Sequence, residues 1–444
     1  MTYGVDQLAT VMDDWLISRP VGRIEAVGRG AVTVSGLGAV PALGDLVRFG
    51  AGPDARRGEV IGLEAARVTV LPDEALEGLR VGDRVVHLGP ATLAPDDTWI
   101  GRILDPYGLP LDGRPLLPGR QRRAMGATPP SATRRRGLGQ RLETGLRVFN
   151  TLLPLVRGQR IGLFAGSGVG KSSLLARLAR RVQADVVVIA MIGERGRELR
   201  DFAEKVLGPE GMARSVIVAA TSDRSAAQRR RCASAAMTVA EHFRDAGRQV
   251  LFLADSVTRL AEAHREAALA AGEAASMRGY PPSTPACLTS LCERAGPGED
   301  EQGDITAIFT VLVAGSDMEE PVADTLRGVL DGHVVLAREI AERGRFPAID
   351  LLRSVSRALP EAASEAENAV IAEARRLLGV YDRAEMMVQA GLYTPGTDAQ
   401  IDQAVAAWPK LDGFIAEAEN GTTADSFRSL AGCLPRGQKA KPTG

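Results

Sequence analysis

The stretch AGSGVGKSSLL, residues 165–175, limits what this chain can fold into more than any other feature. It follows an apolar run, RIGLFAG, and opens an amphipathic one, KSSLLARLARRVQ, so it reads as a strand, a glycine-rich turn and a helix start. In that context Ala165, Gly166, Ser167, Gly168, Val169 and Gly170 form a phosphate-binding loop, continued by Lys171, Ser172 and Ser173. Gly166, Gly168 and Gly170 are expected to take φ values closed to other residues, so that successive N–H groups point at phosphate oxygens. The helix N-terminus adds partial positive charge. Lys171 is expected to reach the β and γ phosphates and Ser172 to place its hydroxyl on Mg²⁺. Ala165 stands where the pattern has glycine, a position that needs smallness more than positive φ.

A loop of this kind needs a parallel sheet behind it, and residues 142–360 supply the pattern. Runs such as DVVVIAMIG, SVIVAATS, QVLFLAD and ITAIFTVLVAG alternate with helical segments, which predicts an α/β core with helices on both faces. Ligands of such sheets sit at the carboxyl ends of strands. One run ends in Asp255, suited to an outer contact with Mg²⁺, and another delivers Glu194 between glycine and arginine. If both strands lie in one sheet, Glu194 emerges beside Lys171 and Asp255, where a carboxylate can accept a hydrogen bond from water and align it for in-line attack. The competing reading is that Glu194 pairs with Arg195 or Arg197. Gly193 and Gly196 are expected to give the backbone room there.

The flanks read differently. Short β-branched runs punctuated by glycine over residues 21–88 predict a small β-barrel. Val5, Leu8, Met12, Trp15 and Leu16 fall at helical spacing, either as core packing or as a partner-binding face. AMGATPPSATRRR, residues 124–136, reads as an exposed connector with a solvated arginine run. The pattern beyond residue 360 is helical. The domains expected are therefore an N-terminal helix (1–18), a barrel (19–90), a P-loop domain (91–360), a helical domain (361–435) and a tail (436–444).

Composition narrows the function classes. Lys plus Arg number 54 against 55 Asp plus Glu, so no global basic field draws the chain to nucleic acid or acidic lipid. Four cysteines contain no CxxC pair and four histidines are scattered, so neither a disulfide framework nor a zinc site is indicated. The first twenty residues carry acids where a signal peptide carries bases. No apolar run approaches the roughly 20 residues of a membrane span. The expectation is a cytosolic protein, at most peripheral to a membrane.

GERGRE (193–198), LADSVTRLAEAHRE (253–266), RGYPPSTPA (278–286), LDGHVVLAREIAERGRFPAIDLLRSVSR (330–357) and GRILDPYGLPLDG (101–113) together resemble the rotary ATP synthase catalytic-subunit superfamily. Within it they are most similar to the ATPases of type III protein export, flagellar or injectisome, with the flagellar system the first choice. The resemblance implies a RecA-like Mg²⁺-dependent ATPase with ATP as substrate, active as a homohexamer with sites between subunits. It implies that Arg357 projects into the neighbour's site and that Phe346 packs near the adenine. The partners it implies are a regulatory or stator protein at the N-terminal helix, a central stalk protein, export-gate membrane proteins, and export substrates with their chaperones, at the inner membrane. STPACLTSLCERAG (283–296) departs from the family's channel loop, where a Phe-Ala-Lys-like segment is expected. Two other classes fit the core fold. An RNA-translocating ring would need stacking aromatics on the barrel, yet residues 21–88 hold only Phe49, so no nucleic acid is expected. A non-catalytic ring subunit would lack Glu194 or Lys171.

Overall fold

The computed structural model describes residues 18–435, apart from residues 29, 53 and 314–317 and the side chain of Met277. The apolar stripe from Val5 to Leu16 and the tail 436–444 lie outside the described residues.

The first strands are β1 (Val21–Val27), β2 (Val32–Ser35), β3 (Leu46–Phe49), β4 (Arg56–Leu63), β5 (Arg67–Pro72) and β6 (Arg84–Gly89). They close into an antiparallel barrel in the order β1-β2-β5-β4-β3-β6. Period-two alternation turns Ile24, Val32, Val34, Val47, Val60, Val70 and Val85 inward as one cluster. Phe49 fills the same interior, and it fits because Gly58 has no side chain: a Cβ there would lie 2.9 Å from the Phe49 ring. The one aromatic side chain of this segment is thus 2% exposed and offers no base-stacking surface.

After a two-stranded pair, β7 (Thr92–Leu93) with β9 (Arg123–Ala124), the chain builds the large sheet. It comprises β8 (Arg102–Leu104), β10 (Arg160–Ala165), β11 (Val186–Ile192), β12 (Ser215–Ala220), β13 (Val250–Asp255), β14 (Ile305–Leu312), β15 (Gly332–Leu336) and β16 (Ile349–Ser356). The order is β16-β15-β10-β14-β13-β11-β12-β8. Every residue of β11, β12 and β13 is buried, which is why these strands read as continuous apolar runs and not as alternation. Pairing is parallel from β8 through β15, and β16 is antiparallel to β15.

The P-loop helix, Lys171–Arg181, covers one face of the sheet together with the C-terminal helices Glu365–Gln389, Ala399–Ala416 and Thr423–Cys433. Ser364 starts the first of these with a capping box to Glu367, and Tyr381 stacks on Trp408 with centroids 4.6 Å apart. The other face carries Ala226–Asp245, Val257–Ala270 and Thr284–Arg294. The divergent 283–296 segment thus forms a helix whose Arg294 reaches into the core. Its guanidinium donates to both oxygens of Glu241 at 2.8 and 2.7 Å, to Thr238 Oγ1 and to the Met125 carbonyl. Both side chains are 5% exposed or less. Removing one partner strands a buried charge, so Glu241→Ala is expected to lower stability by about 3–5 kcal/mol, read as a drop in the denaturant midpoint. Glu241→Leu with Arg294→Met should recover much of it. A single variant as stable as the parent would show that the pair contributes nothing.

The arginine run before β10 is exposed at Arg134 and Arg136, as the sequence reading expects, but it is also bonded to a distant segment. Arg135 donates to the carbonyls of Glu293 and Ala295, and Arg136 to the Asp304 carboxylate at 2.7 Å and the Asp300 carbonyl. These acceptors lie about 160 residues further on, so no local pattern could reveal them.

Candidate active site

Ala165, the last residue of β10, is fully buried, and the chain then turns through the P-loop into the helix beginning at Lys171. Gly168 and Gly170 adopt φ of +79° and +84°, as the sequence requires of them. Gly166 does not: it lies outside the positive-φ region, and a Cβ there would meet nothing closer than the Val313 carbonyl at 3.9 Å. Gly170 carries a second constraint, because a Cβ there would come within 3.0 Å of the Phe346 ring. Phe346 therefore lies against the P-loop, and it is 49% exposed. Val169 is buried, whereas Ser167, Ser172 and Ser173 are exposed at this edge of the sheet.

Since β10, β13 and β11 run parallel, their carboxyl ends meet at one edge. Lys171 Nζ contacts Asp255 Oδ1 and lies 3.7 Å from Glu194 Oε1. Asp255 is 2% exposed and receives a hydrogen bond from Thr310 Oγ1 at 2.9 Å. Arg195 pairs with Glu198 and Arg197 with Asp201, so neither neighbour in sequence neutralises Glu194. Burial raises the Glu194 carboxyl, the Asp255 charge adds to that, and Lys171 only partly opposes it; the result is a pKa pushed up to about 7. A carboxyl poised there can take a proton from water.

Gly193 holds φ of +70°, and a Cβ on it would lie 3.2 Å from Arg259 Cβ, so the turn presenting Glu194 requires glycine. Gly196 has no such constraint: the nearest atom to a Cβ is 3.9 Å away. The turn is fixed from β12, with Gly193 N–H donating to the Ala220 carbonyl and Ser222 N–H to that of Glu194. Thr310, Arg259 and Arg338, whose guanidinium approaches the Ser167 carbonyl at 3.5 Å, escaped the sequence reading. Only Thr310 left a signal, as a hydroxyl inside an apolar strand.

Arg357 lies elsewhere. Its N–H donates to the Asp331 carbonyl, and Asp331 pairs with Arg160, the first residue of β10. The exposed Arg357 is therefore at the amino end of the strand whose carboxyl end carries the P-loop. Six strand residues at about 3.3 Å each put roughly 20 Å between them.

Among the described residues there is no cluster of three His, Cys, Asp or Glu. The Ser172 hydroxyl and Asp255 carboxylate are few, hard oxygen donors, which fits Mg²⁺ held mainly by water and substrate phosphates.

The nucleotide-binding domain of the ATP synthase alpha/beta family matches residues 145–356, and the T3SS EscN ATPase C-terminal domain matches residues 363–431. A flagellum-specific ATP synthase of Caulobacter vibrioides is 42% identical over 429 residues, 93% of this chain and 95% of the relative. This chain belongs to the type III export ATPases of the ATP synthase alpha/beta family. A second relative of this export ATPase, the SPI-2 type 3 secretion system ATPase of Salmonella typhimurium, is 43% identical over 83% of this chain and 84% of its own length. The assembled ATPase EscN in complex with its central stalk EscO, from enteropathogenic E. coli, superposes with a TM-score of 0.84 at 36% identity, covering 93% of this chain and all of that one. The export ATPase is an enzyme that hydrolyses ATP, built as a barrel, a RecA-like core and a helical C-terminal region. Among its described residues no helix is long and apolar enough to cross a membrane.

Proposed function

We propose that this export ATPase hydrolyses Mg²⁺-bound ATP at the interfaces of a homohexameric ring and thereby drives protein export through a flagellar type III apparatus. The observation that carries the reading is the meeting of Lys171, Glu194 and Asp255 at one sheet edge, with Arg357 at the opposite end of the same strand system.

The backbone N–H groups of residues 166–171 and the Lys171 ammonium hold the phosphates, and Glu194 accepts the hydrogen of the attacking water and aligns it. Ser172, and Asp255 through water, hold Mg²⁺, which when bound neutralises charge on the phosphate oxygens. The adenine rests against Phe346. Phe346→Ala is expected to raise KM for ATP roughly tenfold, equivalent to about 1.4 kcal/mol of lost stacking, with kcat little changed and Phe346→Tyr close to normal. An unchanged KM would take Phe346 out of the binding site.

A central stalk protein, a regulatory protein at residues 1–18, export-gate proteins, and substrates with their chaperones are the partners of this reading, in the cytoplasm against the inner membrane. Support for ring and stalk comes from the EscN–EscO assembly. The flagellar assignment is supported by the flagellum-specific relative, 42% identical over 429 residues; an injectisome role is the second reading, favoured by the 43% identity of the SPI-2 relative. Deleting the gene and restoring it as Glu194→Gln decides: loss of motility and of flagellin export supports the first, loss of effector secretion alone the second.

A further inference from the structure

A groove of about 580 Å³ runs between the barrel and the segment that follows it, floored by Leu93, Trp99, Tyr107 and Leu117. Trp99 is 3% exposed, and its indole N–H is buried with no hydrogen-bond partner among the described residues. The groove wall is cationic. Arg48 and Arg57 stand directly opposite each other across β3 and β4, and both line it. Like charges at facing positions of a ladder repel, and among the described residues only Arg57 has nearby carboxylates, Asp73 and Asp105, acting on its charge. Arg57 also lies over the Tyr107 ring, 4.6 Å from its centroid.

An occupant that answers these features is acidic and carries apolar side chains for the floor. We propose that residues 1–17 of this same chain are that occupant. The chain enters at the groove: Arg19 lines it and donates to the Leu88 carbonyl at 2.9 Å. Residues 1–17 contain Asp6, Asp13 and Asp14, no lysine or arginine, and the apolar Val5, Leu8, Met12, Trp15 and Leu16. Even at the helical rise of 1.5 Å per residue, such a segment reaches about 25 Å. A regulatory protein that takes residues 1–18 therefore competes with the groove for one segment. The docking itself rests on this chain's residues and does not need that partner.

The test places a photoreactive p-benzoylphenylalanine at Met12 of the full-length protein and maps the crosslinks by mass spectrometry, mixing isotopically light and heavy chains to separate links within a chain from links between chains. Links within one chain to peptides containing Leu93, Trp99, Leu109 or Leu117 are expected. Arg48→Glu with Arg57→Glu should cut their yield about fivefold or more, as expected for lost ion pairs at a partly buried site, and Asp13→Arg with Asp14→Arg in the same chain should restore it. Arg48→Glu alone, at an exposed position, guards against disturbance of the Tyr107 stack. Links to another face, links to a second copy, or a yield indifferent to charge reversal in a protein with an unchanged circular dichroism spectrum would each overturn the proposal.

Discussion

Lys171→Ala is expected to abolish turnover and weaken ATP binding, whereas Glu194→Gln is expected to abolish turnover with ATP still bound. The geometry separates the two. The Lys171 ammonium is the cation between Asp255 and Glu194, and its side chain is 12% exposed. Removing it takes away a charge-assisted contact to phosphate, worth about 1.5–3 kcal/mol, and leaves two carboxylates facing each other where an anionic ligand must enter. Binding should fall by roughly one to two orders of magnitude. The Glu194→Gln change keeps the shape of the side chain, removes its basicity and relieves repulsion toward phosphate, so affinity should hold or rise while turnover drops by about 10²–10⁴. Titration with a fluorescent nucleotide and measurement of phosphate release on both variants check this. Near-normal turnover by Glu194→Gln would remove that residue as the one that positions water.

Arg357→Ala is expected to be nearly inactive while still binding ATP, and to be rescued by a different dead protein. An arginine finger contributes on the order of 10³–10⁵ in turnover. The sheet makes action within one subunit implausible on distance alone, since Arg357 neighbours Arg160 at the start of β10 and the P-loop follows its end. Roughly 20 Å exceeds any side chain's reach. An interface with the P-loop face of an Arg357→Ala subunit and the intact arginine of a Glu194→Gln subunit holds every group the reaction needs. Mixing the two inactive proteins should therefore restore measurable phosphate release. No restoration at any ratio, repeated with covalently linked dimers of defined order, would place the arginine outside the reaction.

The sequence by itself determined whatever depends on neighbours a few residues apart. The P-loop, the apolar runs of β10 to β14 and the alternating barrel strands are local patterns of backbone freedom and side-chain period, written into adjacent positions. Glu194 and Asp255 were legible for the same reason: a carboxylate closing an apolar strand can only be at a sheet edge. Local pattern also misled. Gly166 looks like Gly168 and Gly170 in the sequence, yet only the latter two take positive φ. Arg135 and Arg136 look like a run bonded only to water, yet they also hold carbonyls and a carboxylate of residues 293–304. What the tertiary structure alone decided is pairing between distant segments. It gave Glu194 to Lys171 instead of Arg195, set Thr310 on Asp255, laid Phe346 on Gly170 and put Arg357 at the far end of β10. Such pairs depend on the path of the whole chain, because a charge or hydroxyl in the sequence names what it can bond but not which of many distant acceptors the folded sheet will bring within 3 Å of it.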